Sequence, residues 1–148
     1  MHYQLIYTSR ALSLFDAEAL TRLLTNARAV NAAQHVTGLL LYSAGHFLQV
    51  LEGPHPEVST VFASIRLDSR HEQVQVLGQG SVPQRAFPYW GMGFCELAYP
   101  VWTQLRDTLP LPGVAVVVPY SLSLHDLLAP FVRHFLAQQE PTFPDGTR

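Results

Sequence analysis

Apolar residues fall in short strand-like runs separated by two segments of helical period, and the densest run lies at 36–53, VTGLLLYSAGHFLQVLEG. Leu39-Leu40-Leu41-Tyr42 and Phe47 to Glu52 flank a polar break, Ser43-Ala44-Gly45-His46. Gly45 permits a tight reversal there, so the segment predicts a β-hairpin. Both arms are apolar on both faces, as in central strands covered on two sides. Gln49 is the exception among Phe47, Leu48, Val50 and Leu51. A buried amide must be satisfied, either by a neighbouring loop or water, or by a bound ligand. It carries donor and acceptor on one rotatable group, so turning it over reverses what its partner feels.

The flanking pattern supplies the other elements. Tyr3 to Thr8 alternates, with Tyr3, Leu5 and Tyr7 on one face and Gln4, Ile6 and Thr8 on the other, a first strand. Asp16 is a plausible N-cap for a helix whose stripe is Leu20, Leu23, Leu24, Ala27 and Val30. Asn31 falls one turn beyond Ala27, where an Asn serves either as a C-cap or turn residue or as part of the buried stripe. Pro54-His55-Pro56 suits the start of a second helix, striped by Val58, Val61, Phe62 and Ile65 and closed by Asp68-Ser69-Arg70-His71. Gln73 to Leu77 predicts a fourth strand. Beyond Pro83 and Pro88, Trp90, Met92 and Phe94 take alternate positions, which predicts a fifth strand over Trp90–Phe94 with these side chains on one packed face.

This order is an α/β (α+β), ferredoxin-like β-α-β-β-α-β sandwich with one extra strand. Both helices lie on one face of its sheet, leaving Ile6, Leu48 and Val50 on the other. The C-terminal third is expected to cover that outer face with helices over Pro100–Leu109 and Ser123–Gln138. The second carries a Ser123-x-x-Asp126 cap and a kink at Pro130. Val114 to Val118 reads as a strand or as an extended linker, and the tail from Pro141 as frayed.

Composition narrows the class. At 148 residues, 48% hydrophobic and 14% charged, the chain is one globular domain. Its formal charge of −2 gives no basic field for nucleic acid. A single cysteine excludes an internal disulfide and fits a reducing, cytoplasmic setting. No apolar run approaches the roughly 20 residues of a membrane span, and Met-His-Tyr-Gln does not read as a signal peptide. The seven histidines show no metal-ligand spacing, so no metal is expected.

Several motifs in order resemble the BLUF family, the small sensors of blue light using FAD. They are LIYTSRA at 5–11, Asn31 five residues ahead of VTGLLLY, FLQVLEG at 47–53, Asp-x-Arg-His at 68–71 and W-x-M-G-F at 90–94. The resemblance covers about Tyr3 to Phe94 and implies the same ferredoxin-like fold. It divides the chain into a flavin-binding domain at 1–96, a C-terminal helical cap at 97–140 and a flexible tail at 141–148.

The resemblance also implies a site. Leu23 and Ile65 would lie against the two flat faces of an isoalloxazine ring held between the helices. Asn31 would bond its pyrimidine edge, and Gln49 would bridge the Tyr7 phenol to the ring. Trp90 and Met92 resemble a pair that passes the change at Gln49 into the sheet, although plain core packing explains them as well. Photoexcited flavin is an oxidant and a phenol an oxidisable proton and electron donor. The amide between them can therefore relay a proton and settle in a new orientation, giving a small red shift without turnover, so no enzyme is expected.

Two positions depart from the family pattern. Val30 stands where many members have a polar residue, and Ser64 where some have an arginine reaching the flavin. Arg70 and His71 either compensate or cap the second helix. The cofactor is accordingly FAD, with FMN or riboflavin as alternatives. The implied partners are a second copy of the chain and a downstream protein that the sequence does not name. Two alternatives stand beside this reading: an acylphosphatase-like enzyme, supported by Arg10 after the first strand, and a BLUF-like adaptor without flavin, suggested by Val30 and Ser64.

Overall fold

The computed structural model describes residues 2–108 and places eight elements along them. They are β1 (His2–Ala11), α1 (Ala17–Gln34), β2 (Thr37–Ser43), β3 (His46–Gly53), α2 (His55–Arg66), β4 (His71–Val82), β5 (Gly93–Glu96) and α3 (Tyr99–Thr108). The expected helix over Ser123–Gln138, the Val114–Val118 stretch and the tail from Pro141 lie outside the described residues.

The sheet has the order β4-β1-β3-β2-β5. Its first four strands pair antiparallel, and β5 joins β2 in parallel as the added strand. With α1 and α2 on one face this is the ferredoxin-like α/β sandwich. The hairpin turns through Ala44 and Gly45, both at positive φ (46° and 87°), the two-residue reversal whose twist suits paired strands. At the other end of β2, Gly38 passes so near β3 that an added Cβ would lie 1.8 Å from the Val50 carbonyl oxygen. Only glycine fits there.

Helix α1 begins where Asp16 accepts a hydrogen bond from the Ala19 amide at 2.8 Å. It ends at His35, whose left-handed φ of 58° closes it. Asn31 is therefore interior to α1, not its cap.

The two sheet faces support separate cores. Leu5, Tyr7, Leu40, Phe47 and Leu51 pack under Leu20 and Leu24 of α1 and Val58, Val61 and Phe62 of α2. On the outer face Ile6, Leu39, Leu41, Leu48 and Val50 are covered by Phe87, Trp90 and Leu97 and by Trp102 and Leu105 of α3.

Two strand boundaries differ from expectation. β4 runs from His71 to Val82 rather than Gln73 to Leu77, because it hydrogen-bonds along the whole of β1 through two register shifts. Its first residues are polar and half-exposed or exposed, so they give no alternating signal. The fifth strand is Gly93–Glu96, not Trp90–Phe94. The preceding Trp90-Gly91-Met92 segment is irregular, and the alternation that placed Trp90 and Met92 in phase does not hold there. Trp90 belongs to the outer core and Met92 to the helix-side core.

The outer face also buries Glu52 completely. Its carboxylate accepts from Gln4 Nε2 (2.9 Å), the Ala86 amide (2.8 Å) and the Phe87 amide (2.8 Å), tying the 85–92 segment to β3.

Candidate functional site

A cleft of about 220 Å³ opens between α1 and α2 on the helix side of the sheet. Leu23, Ala27 and Val30 of α1 form one wall, and Val61, Ser64 and Ile65 of α2 the other. Tyr7, Leu40, Phe47 and Gln49 make the floor, and Asp68, Arg70 and His71 close one end. The division of labour within each helix follows its periodicity: Leu20 and Leu24 bury against the sheet, whereas Leu23, one position round, stays half-exposed in the cleft. Of the nine residues expected at a site, seven line this cleft: Tyr7, Leu23, Asn31, Gln49, Ile65, Arg70 and His71. Met92 and Trp90 do not.

Tyr7 and Gln49 meet because β1 and β3 place them directly opposite each other in register. The Tyr7 hydroxyl donates to Gln49 Oε1. Gln49 Nε2 then points the other way, 3.4 Å from Met92 Sδ. Burial first, and the negative charge of Asp68 second, push the Tyr7 phenol well above its ordinary range. It stands as a neutral donor aimed at the amide oxygen. Met92 touches the switch candidate, while Trp90, on the opposite sheet face, stacks on Phe87 with centroids 5.8 Å apart.

Backbone carbonyls of the irregular segment are anchored from three sides. Trp90 O accepts from Gly38 N (3.0 Å), Gly91 O from Asn31 Nδ2 (2.7 Å) and Met92 O from Arg28 Nε (3.0 Å). Asn31 is buried, lines the cleft and keeps its Oδ1 without a partner among the described residues.

The end wall is internally paired. Arg70 NH2 lies 2.6 Å from Asp68 Oδ2, and its Nε and backbone amide also donate to the same carboxylate. That side-chain bond holds the Asp68 carboxyl down at about 2. His71 Nε2 lies 2.6 Å from the Ile65 carbonyl oxygen, and Nδ1 2.8 Å from Ser9 Oγ. A carbonyl only accepts, so Nε2 carries a proton, and His71 serves to fasten the end of α2 to β1. A depressed carboxylate contributes stability that is present above its ordinary 3.8 and lost as pH falls towards about 2. Asp68→Asn is therefore expected to flatten the acid limb of an unfolding-versus-pH curve in that window. The loss near neutral pH should be under about 1 kcal/mol, because the pair is partly solvated. An unchanged acid limb would show that the pair does not set it.

Sequence reasoning did not find Glu52, Arg28, Asp68 as a neighbour of Tyr7, or Phe15, which also lines the cleft. Arg28 sits one turn before Asn31 and Ala32, and that spacing was the available signal. Glu52 closes an apolar run and gave none.

Two apolar side chains facing each other across the cleft, an amide N–H remaining on Gln49 and an Asn31 Oδ1 unpartnered among the described residues suit a flat heteroaromatic ring with donors and acceptors on its edge. Neither Val30 nor Ser64 offers charge to such a ligand.

Fold and cleft together define a ferredoxin-like domain with a ligand-sized cleft between its two helices. The family model of BLUF, sensors of blue-light using FAD, matches residues 2–93, and the chain belongs to that family. The blue light- and temperature-regulated antirepressor BluF of Escherichia coli (strain K12) is 32% identical over 140 residues, 94% of this chain and 34% of that protein. The photoactivated adenylate cyclase subunit beta of Euglena longa is 36% identical over 80 residues, 54% of this chain and 9% of that protein. The chain thus spans 34% and 9% of the length of these two relatives. Among solved structures, the dark state of BlrB, a BLUF protein, superposes with a TM-score of 0.69 at 25% identity, covering 87% of this chain and 96% of that one.

Proposed function

We propose that the chain binds FAD in the cleft between α1 and α2 and acts as a blue-light sensor through the Tyr7–Gln49 pair. One observation carries this reading: on the floor of the cleft the Tyr7 phenol donates to the Gln49 amide oxygen, while the amide nitrogen faces Met92 behind it. Leu23 and Ile65 would sandwich the ring, and Asn31 Oδ1 and the remaining N–H of Gln49 would meet its polar edge. A bound flavin supplies a strong oxidant when it absorbs blue light.

The protein's own part is to hold a proton and an invertible group beside it. Burial keeps the Tyr7 proton on the phenol and aims it at Gln49 Oε1. With a bound flavin as electron acceptor, an oxidised Tyr7 phenol would be acidic enough to pass that proton to Gln49 Oε1, and the bond that fixes the amide's orientation would weaken. Rotation then exchanges the donor and acceptor ends, so the Gln49–Met92 contact changes with it. Met92 lies immediately before β5, which carries the change to the sheet edge. We further propose that output is by protein contact, through a second copy or a downstream partner, in the cytoplasm and without turnover. Among the described residues no helix is long and apolar enough to cross a membrane.

The acylphosphatase alternative loses its support in the geometry. Arg10 is in extended strand, opposite His46 and Glu72, rather than in a phosphate-cradling loop. Gln49→Leu tests the switch. It keeps the side-chain volume and removes the amide, so flavin should stay bound and the light-induced red shift should vanish. Difference spectra at matched flavin loading measure it, and a shift of wild-type size would place the switch at another residue.

A further inference from the structure

Arg28 is remote in sequence from both halves of the switch, yet its guanidinium reaches from α1 to the backbone of Met92. Nε donates to Met92 O at 3.0 Å, and one turn further along the same helix Asn31 Nδ2 holds Gly91 O at 2.7 Å. Met92 is fully buried, and its sulfur is 3.4 Å from Gln49 Nε2. A thioether on three rotatable bonds is a poor fixed point unless its backbone is held, because the chain adapts to whatever space is open. Here the residue lies in an irregular segment, so no strand ladder holds it. A charged donor to its carbonyl supplies that constraint.

We propose that Arg28 is a positioning residue for the switch: by fixing the Met92 carbonyl it places Sδ where the Gln49 amide nitrogen rests, and so favours one of the two amide orientations. The inference builds on the proposed light-sensing role, but its structural half is independent of flavin. Return of the amide to this orientation re-forms the contact with Met92, so loosening Met92 slows the return.

Arg28→Met keeps the aliphatic stem and removes every donor; Arg28→Lys restores one charged donor. Met1 and Met92 are the chain's two methionines, so methyl-labelled methionine gives an assignable Met92 signal in NMR spectra of the flavin-free protein. The expected result is a displaced or broadened Met92 methyl in Arg28→Met and a signal back near its wild-type position in Arg28→Lys. In flavin-loaded protein, recovery in the dark after a blue flash should slow by about ten-fold in Arg28→Met, the scale of one charge-assisted hydrogen bond, and recover most of that in Arg28→Lys. A Met92 methyl unmoved in Arg28→Met, even with a lower unfolding temperature, would show a purely structural Arg28 and overturn the proposal. So would a displaced methyl with unchanged or faster recovery. Failure of wild type to take up flavin would count against the light-sensing role, while the methyl comparison would still decide whether Arg28 places Met92.

Discussion

Tyr7→Phe is expected to bind flavin and give no lasting red shift under blue light. The substitution deletes one hydroxyl and leaves the ring packed against Phe62, whose centroid is 5.3 Å away. The first strand keeps its pairing with β3 and β4, because those bonds are backbone bonds. What disappears is the donor to Gln49 Oε1, at a stability cost of about 1–3 kcal/mol for the stranded acceptor. The amide then has no phenolic proton to receive, and photoexcitation has no neighbouring hydroxyl at this position to oxidise. The effect on function is therefore complete loss, with a modest effect on folding. Spectra of flavin-loaded wild type and variant, recorded in the dark and during illumination, measure both the loading and the shift.

The largest effect on stability is expected at Glu52. The side chain is fully buried, and its two oxygens accept from Gln4 Nε2 and from the Ala86 and Phe87 amides. Glu52→Ala removes the acceptor shared by two buried donors, Gln4 Nε2 and the Phe87 amide, and by the part-buried Ala86 amide, and it opens a void under the outer core. Each stranded donor costs about 1–3 kcal/mol where water cannot replace the lost acceptor. Partial relaxation of the 85–92 segment brings the expected total to about 3–5 kcal/mol, below the sum for three fully stranded donors. Urea unfolding gives the number directly. Glu52→Gln should lose less, since one amide oxygen still accepts, although its NH₂ group faces donors. A loss below about 1 kcal/mol in Glu52→Ala would mean that the carboxylate is not what ties this segment to β3. Since the same segment leads into Met92, the variant should also disturb the switch when flavin is bound.

Much of this was legible in the sequence, for physical reasons that differ from residue to residue. Gln49 stood out because an amide among Phe47, Leu48, Val50 and Leu51 has to be satisfied, and period-two alternation placed it on the same face as Leu51 and Phe47. Tyr7 shared the phase of Leu5, so its presence on the helix side followed, and the observed register makes the two residues direct neighbours. Strand alternation failed at Trp90 and Met92 because their conformation is set by hydrogen bonds from Gly38, Asn31 and Arg28, residues at least 50 positions away. No local pattern encodes such anchors. Asn31 lay on the helical stripe, but the end of α1 is set four residues later, where His35 takes a left-handed conformation. Glu52 was hidden for a related reason. A carboxylate at the end of an apolar run looks like a solvated strand end, and only the amides of Ala86 and Phe87, brought back from the far end of β4, reveal it as buried. The outer cover was legible in part: α3 places Trp102 and Leu105 over the sheet, where a helix over Pro100–Leu109 was expected.

The most direct test of the account is the absorption spectrum of the purified wild-type chain before, during and after blue illumination. The expected result is a yellow protein that releases intact, noncovalently held flavin on denaturation, with near one per chain, and whose flavin band moves slightly to the red in the light and returns in the dark. A colourless protein that also fails to take up added FAD, or a flavin-loaded protein whose band does not move, would contradict it.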